Sequence, residues 1–295
     1  MPVNFAAPPP LPLAHVGALP SSIRRTPKAV LDEMKAACTA RHFPRFKSAF
    51  DAWTPLNYRI LDLASVMCEA IANNFVDAAS ELLRAGLPTD QIYAIDAITH
   101  RSTNILTLFL EHGWDINQPT EPLKPPALAY AVKDSEMTLW LLDHGADPNQ
   151  QCRIDLTPLS WAVEDASLST IKLILDRGGD VQRGAPLHHA VNRESEVVEV
   201  LSLLLERGAS LNANMYENHE LSRSMFFFMG LGPVIHQAAC KGKADAVRYL
   251  LDRGADPTLR DATDRTALDW AVKSNKPEVI TMLEQAVGNN ATTSK

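Results

Sequence analysis

At 295 residues, with 46% hydrophobic and 21% charged residues, the chain has the make-up of a folded protein rather than a fibrous or low-complexity one. No apolar run approaches the roughly 20 residues that cross a bilayer, and the N-terminus lacks the basic and apolar regions of a secretory signal. The net charge of -7 is uneven: residues 1–57 hold seven Lys/Arg against three acids, so the remainder carries -11 and disfavours a phosphate backbone as partner.

In chain order, residues 1–26 contain six Pro without periodicity and read as an extended, disordered leader. Within it, "APPPLPL" (7–13) has a P-x-x-P spacing that an SH3-type groove accepts. "SSIRRTPK" (21–28) pairs Arg24-Arg25 with Thr26-Pro27, and its simplest reading is a helix start at Pro27. Residues 27–57, with "AVLDEMKAACTARHFPRFKSAFDAW" at 29–53, read as a divergent N-terminal capping pair of helices.

From residue 58 to 287 a repeat takes over. "MCEAIANNFVDAASELLRAGLPT" (67–89) and "AIDAITHRSTNILTLFLEHGWDIN" (94–117) carry a helix–turn–helix rhythm. It sharpens in "LAYAVKDSEMTLWLLDHGADPN" (128–149), "LSWAVEDASLSTIKLILDRGGDVQ" (159–182), "LHHAVNRESEVVEVLSLLLERGASLN" (187–212) and "IHQAACKGKADAVRYLLDRGADPT" (235–258). The glycines at 113, 145, 178, 208 and 254 are separated by 32, 33, 30 and 46 residues. We read five units from residue 94 to about 285, a weaker one before them, and the capping pair. Two short helices cannot cover each other's apolar faces, so such units stack and bury a shared core. Small Ala residues let first helices approach closely, Leu pairs fill the layer beneath, and Gly ends each second helix because the next residue turns left-handed. Residues 288–295 form a polar tail.

The last step exceeds the 33-residue period by 13, and "NMYENHELSRSMFFFMGLG" (214–232) fills that length with Phe226, Phe227, Phe228 and Met229 in succession. Consecutive Phe residues cannot all face one way in regular structure. Two readings follow: the cluster closes a gap against neighbouring helices, or at least one ring stays exposed to anchor a partner, with two buried and one offered.

These repeats resemble the ankyrin-repeat family. "LTPLSWAV" (156–163) and "GAPLHHAV" (184–191) look like its Thr-Pro-Leu-His opening, and "LLDHGADPN" and "LLDRGADPT" like its second-helix ending. In "DRTALDWAV" (264–272) Ala267 stands where the family has Pro. The resemblance implies an all-α fold, an ankyrin-repeat solenoid of stacked helix-turn-helix units with short finger loops. Degenerate units behind a Pro-rich leader look like a stand-alone fungal regulatory type.

The sequence carries no recognisable catalytic or metal-binding pattern. Cys38, Cys68, Cys152 and Cys240 form no C-x-x-C pair and read as free thiols of a reducing compartment, cytoplasmic or nuclear. His188 and His189 are adjacent and point about 100 degrees apart on a helix, so they cannot share a metal. No zinc-peptidase, serine-hydrolase or P-loop motif occurs. Neither catalytic, cofactor-binding nor metal residues are expected, and the chain reads as no enzyme.

The resemblance implies protein partners on the concave face and fingers. Positions following the first-helix Ala are Glu164, Asp165, Asn192, Arg193 and Lys241, with Arg153 and Ile154 on a finger and Tyr216 in the insertion. The expected function is that of an adaptor or regulator, for example a transcription co-regulator without direct nucleic-acid or membrane contact. The alternative is a small-molecule binder or atypical enzyme of a metabolite pathway, with 214–232 covering a pocket.

Overall fold

The computed structural model describes residues 24–293. It divides into two compact units, one ending at Thr89 and one beginning at Asp90. No β-strand forms among the described residues; Arg24 with Tyr58 and Glu121 with Lys124 make isolated bridges.

The first unit pairs α1 (Lys28–Thr39) with α2 (Phe43–Trp53), then α3 (Ala64–Ala72) with α4 (Val76–Arg84). Phe46, Phe50 and Trp53 recur along one face of α2, are buried, and stack with ring centroids 5.6 and 5.8 Å apart. The leader expected over 1–26 needs correction at its end. Thr26 is buried, its N–H donates to Asp62 Oδ2 at 2.7 Å, and its hydroxyl accepts from Trp53 Nε1 at 2.9 Å. Two polar partners, the buried Trp53 and the half-buried Asp62, tie down residues whose composition alone reads as disordered. The P-x-x-P segment lies outside the described residues.

The second unit contains α5 (Gln91–Thr99) and α6 (Thr103–Glu111), α7 (Leu128–Ala131) and α8 (Ser135–Asp143), α9 (Pro158–Asp165) and α10 (Leu168–Asp176). It continues with α11 (Pro186–Ala190) and α12 (Val197–Glu206), then α13 (Glu220–Phe226), α14 (Val234–Lys241) and α15 (Ala244–Asp252), and α16 (Ala267–Lys273) and α17 (Pro277–Thr293). From Gln91 there are thus six helix pairs, not five, and α17 carries helix into the stretch read as a polar tail.

Local signals place the helix starts. Thr157 Oγ1 accepts the Ser160 N–H while Ser160 Oγ accepts the Thr157 N–H, a reciprocal cap with Pro158 at the first helical position. Thr266 and Asp269 repeat that arrangement at α16. Leu159, Ala162, Ile171, Ile174, Leu201, Leu204, Ala238 and Val247 are fully buried in one shared core.

An amide clamp joins successive turns. Asn117 Nδ2 donates to the Gly145 carbonyl at 2.9 Å while its Oδ1 accepts the Asp147 N–H at 2.7 Å. One unit on, Asn149 does the same with Gly178 and Asp180, both at 2.7 Å. These bonds satisfy carbonyls at helix C-termini that the helices leave unpaired.

Candidate partner-binding site

The inserted segment is ordered by its own caps and by anchors at both ends. His219 Nδ1 accepts the Ser222 N–H at the start of α13. Ser222 is buried on the inner face, and its Oγ accepts the Asp155 backbone N–H at 2.8 Å. A short 3-10 turn, Phe227–Met229, follows and ends at Gly230 with φ +94°. Only glycine fits there, because a Cβ would collide with Asp261, Arg265 and Trp270. The Gly230 carbonyl accepts the Ala262 N–H at 3.2 Å. His188 Nε2 lies 3.0 Å from the Gly232 carbonyl, so the ring donates from that nitrogen. Burial drives the His188 pKa down to about 4, which keeps it neutral at pH 7.

The apolar run divides differently from the expected two buried and one offered. Phe226 turns inward and packs against Tyr216, ring centroids 5.6 Å apart. Phe227, Phe228 and Met229 are 57%, 67% and 54% exposed, and Met225 and Leu221 extend the same outer surface. The reason is geometric: the short α13 buries Ser222, so the rings that follow emerge on its far side. Soluble surfaces rarely group so much apolar area without a use.

Beneath this ridge lies a half-open groove of about 420 Å³. Its apolar wall consists of Met215, Tyr216, Phe226, Met229, Leu231 and Trp270. Its polar edge is formed by Asn192, Gln237 and Lys241 on first helices and the turns after them. Trp270 is fixed by donating Nε1 to Asp261 Oδ2 at 2.7 Å, with the Arg265 guanidinium over its ring at 5.0 Å. Asp261 is buried, which disfavours its charge, yet hydrogen bonds from Arg265, Thr263 and Trp270 outweigh this and hold its pKa at about 2.

Along the first helices a polar chain runs across three units. Glu164 Oε2 stands 3.0 Å from His189 Nδ1 and accepts from Asn192 Nδ2 at 3.1 Å; Asn192 Oδ1 accepts from Gln237 Nε2 at 2.8 Å. Contact with His189, opposed by burial, keeps the Glu164 carboxyl below its usual range. Asp165 is exposed and pairs with Lys133 at 3.1 Å, which is worth little on a wet surface.

Two expected contact residues are elsewhere. Arg193 is 7% exposed: its Nη1 donates to the Val163 and Ala166 carbonyls at 3.1 and 2.9 Å, its Nε to the Ser195 carbonyl, and Nη2 pairs with Glu196. It closes the C-terminus of α9 instead of facing a partner, because α11 stops at Ala190 and Arg193 falls in the turn beyond. Ile154 is buried as the finger folds onto α13 through Asp155. Arg153 stays exposed on that finger, away from the groove lining. So Tyr216, Phe226, Met229, Asn192 and Lys241 share the groove, Phe227 and Phe228 crown it, and Glu164 is linked through Asn192.

Trp270, Met215 and Leu231 were not anticipated. Trp270 had a signal: aligning "LSWAV" with "LDWAV" puts it in the column of Trp161 and Gln237, which faces the same side. Among the described residues, no group of three or more His, Cys, Asp or Glu could hold a metal, and no helix is long and apolar enough to cross a membrane.

The family model described as ankyrin repeats (3 copies) matches two stretches, residues 127–215 and 229–293. Residues 216–228, which it leaves out, are α13 and the start of the aromatic ridge. The Neurogenic locus Notch protein of Drosophila melanogaster is 34% identical over 39% of this chain and 4% of its own length. Ankyrin repeat protein nuc-2 of Neurospora crassa is 28% identical over 50% of this chain and 13% of its own. The ankyrin repeat protein FPV232 of fowlpox virus is 28% identical over 72% of this chain and 44% of its own. The chain thus spans less than half the length of each of these relatives.

Proposed function

Because this chain belongs to the ankyrin-repeat family, whose repeats generally mediate protein–protein interaction, we propose that it is a non-enzymatic adaptor or regulator that grips a protein partner at the inserted segment and the adjoining first helices. The observation that carries this reading is the pair Phe227 and Phe228, more than half exposed on a segment anchored at Asp155, His188 and Ala262. Aromatic side chains held rigidly at a surface lose little entropy on binding and dominate interface energetics. A regulator of transcription working through a bound protein is one form of this role. The cytoplasm or nucleus is the proposed setting, since Cys38, Cys68, Cys152 and Cys240 lie far apart in the sequence and form no C-x-x-C pair.

The test is affinity purification with mass spectrometry from native cells, comparing wild type with Phe227→Ser/Phe228→Ser after thermal melts show both equally folded. Loss of one prominent partner supports the ridge as the docking element. Retention of every partner by a folded variant removes it.

A further inference from the structure

The groove beneath the ridge differs in charge from the rest of the molecule. Three of its titratable lining groups are neutral at pH 7: burial lowers His188 to about 4, lowers His236, and raises Tyr216 to about 12. No Asp or Glu lines it, and the nearby Asp261 is saturated by Arg265, Thr263 and Trp270. Lys241 is therefore the one charged side chain among the lining residues; the Glu164 carboxylate outside the groove feels its charge without reaching ion-pair distance. Beside it, Gln237 and Asn192 present amide groups whose remaining donors and acceptors suit an extended backbone.

We propose that the groove binds a short segment of a partner protein in which one large apolar side chain is flanked by a single Asp or Glu. The apolar side chain enters between Tyr216, Phe226, Leu231 and Trp270, and the carboxylate meets the Lys241 ammonium at the mouth. A volume of about 420 Å³ holds one or two such side chains, not a helix. The net charge of -7 opposes a strongly acidic partner at long range. That limits the segment to a single carboxylate placed near the local cation. This inference rests on the protein-interaction reading and names the chemistry of the element recognised.

The probes are two fluorescein-labelled dodecapeptide pools, randomised around a fixed central Phe, with Glu in one and Lys in the other at two positions after it. Fluorescence anisotropy with the full chain is expected to show at least tenfold tighter binding of the Glu pool. Lys241→Glu should reverse the preference while keeping the melting temperature, because the side chain is exposed. Trp270→Ala should weaken both pools, with circular dichroism confirming that the helices persist. Equal binding of the two pools, preference for the Lys pool, or a Glu preference surviving in Lys241→Glu would overturn the proposal. So would binding of neither pool. Tighter binding of a free aryl carboxylate such as phenylbutyrate than of any peptide would reassign the groove to a small molecule. If neither pool binds while partner capture still depends on Phe227 and Phe228, the interaction reading stands and the groove assignment alone falls. If both fail, both readings go.

Discussion

Asp155 and Ser222 lie 67 positions apart, and a buried 2.8 Å hydrogen bond from the Asp155 N–H to the Ser222 hydroxyl joins them. Asp155 also accepts the Gly184 N–H at 2.8 Å and a bond from Gln151 through the same Oδ1. One finger residue thereby holds both the inserted helix and the next loop.

Ser222→Ala leaves the Asp155 N–H buried without an acceptor, which costs about 1–3 kcal/mol. Hydrogen exchange should localise the change: amides of 214–232 gain rate while those of α9 and α10 hold theirs. Equal protection in both proteins would show that the anchor is dispensable.

Phe227→Ser/Phe228→Ser should change stability by no more than about 0.5 kcal/mol per site, since both rings are exposed. Phe226→Ala, which strips the packing against Tyr216, should be the more destabilising. Urea titration ranks the three. The reverse order would mean the ridge is buried in solution.

Arg193→Ala removes the donors to the Val163 and Ala166 carbonyls and leaves those acceptors and Glu196 without their cation, for a loss of about 3 kcal/mol. The expected signature is an early melt with partner affinity unchanged in the folded fraction. A normal melt with lost binding would return Arg193 to the contact surface.

Acid should weaken the fold in two stages. The folded pKa of His188, about 4, lies below its unfolded value, so above pH 6.5 both states are neutral and its contribution is complete. As pH falls from 6.5 to 4 the unfolded chain takes up the proton first, removing about 3 kcal/mol. His236, lowered by burial, acts in the same sense. Asp261, held at about 2 against its own desolvation, adds stability above pH 3.8 that fades as pH approaches 2. Urea midpoints at pH 7, 5.5, 4.5 and 3 trace both stages, and His188→Gln should flatten the first.

The stack was legible because its energetics are local. Successive periods repeat the small residues of the first helix and the Gly after the second, so the pattern survives single departures such as Ala267. The insertion was visible as excess length, but not its disposition. Which Phe turns inward depends on Ser222 meeting Asp155, a contact between distant positions. Arg193 was misplaced for a related reason: "LHHAV" matches its neighbours in letters, but the helix stops five residues in, and the side chain curls under α9. Residues 24–26 looked disordered because composition does not reveal that Trp53 and Asp62 await Thr26.

In a solenoid each unit touches only its neighbours, so unfolding can start at one end and peel inward. The segment 214–232 breaks that rule. It bonds backward to Asp155 ahead of α9 and to His188 on α11, and forward to Ala262 ahead of α16. Four helix pairs are laced together by one strap, and they should melt as one cooperative block while α5 and α6 remain free to fray. A partner seated on the strap would then hold that whole block together, stiffening repeats it never touches.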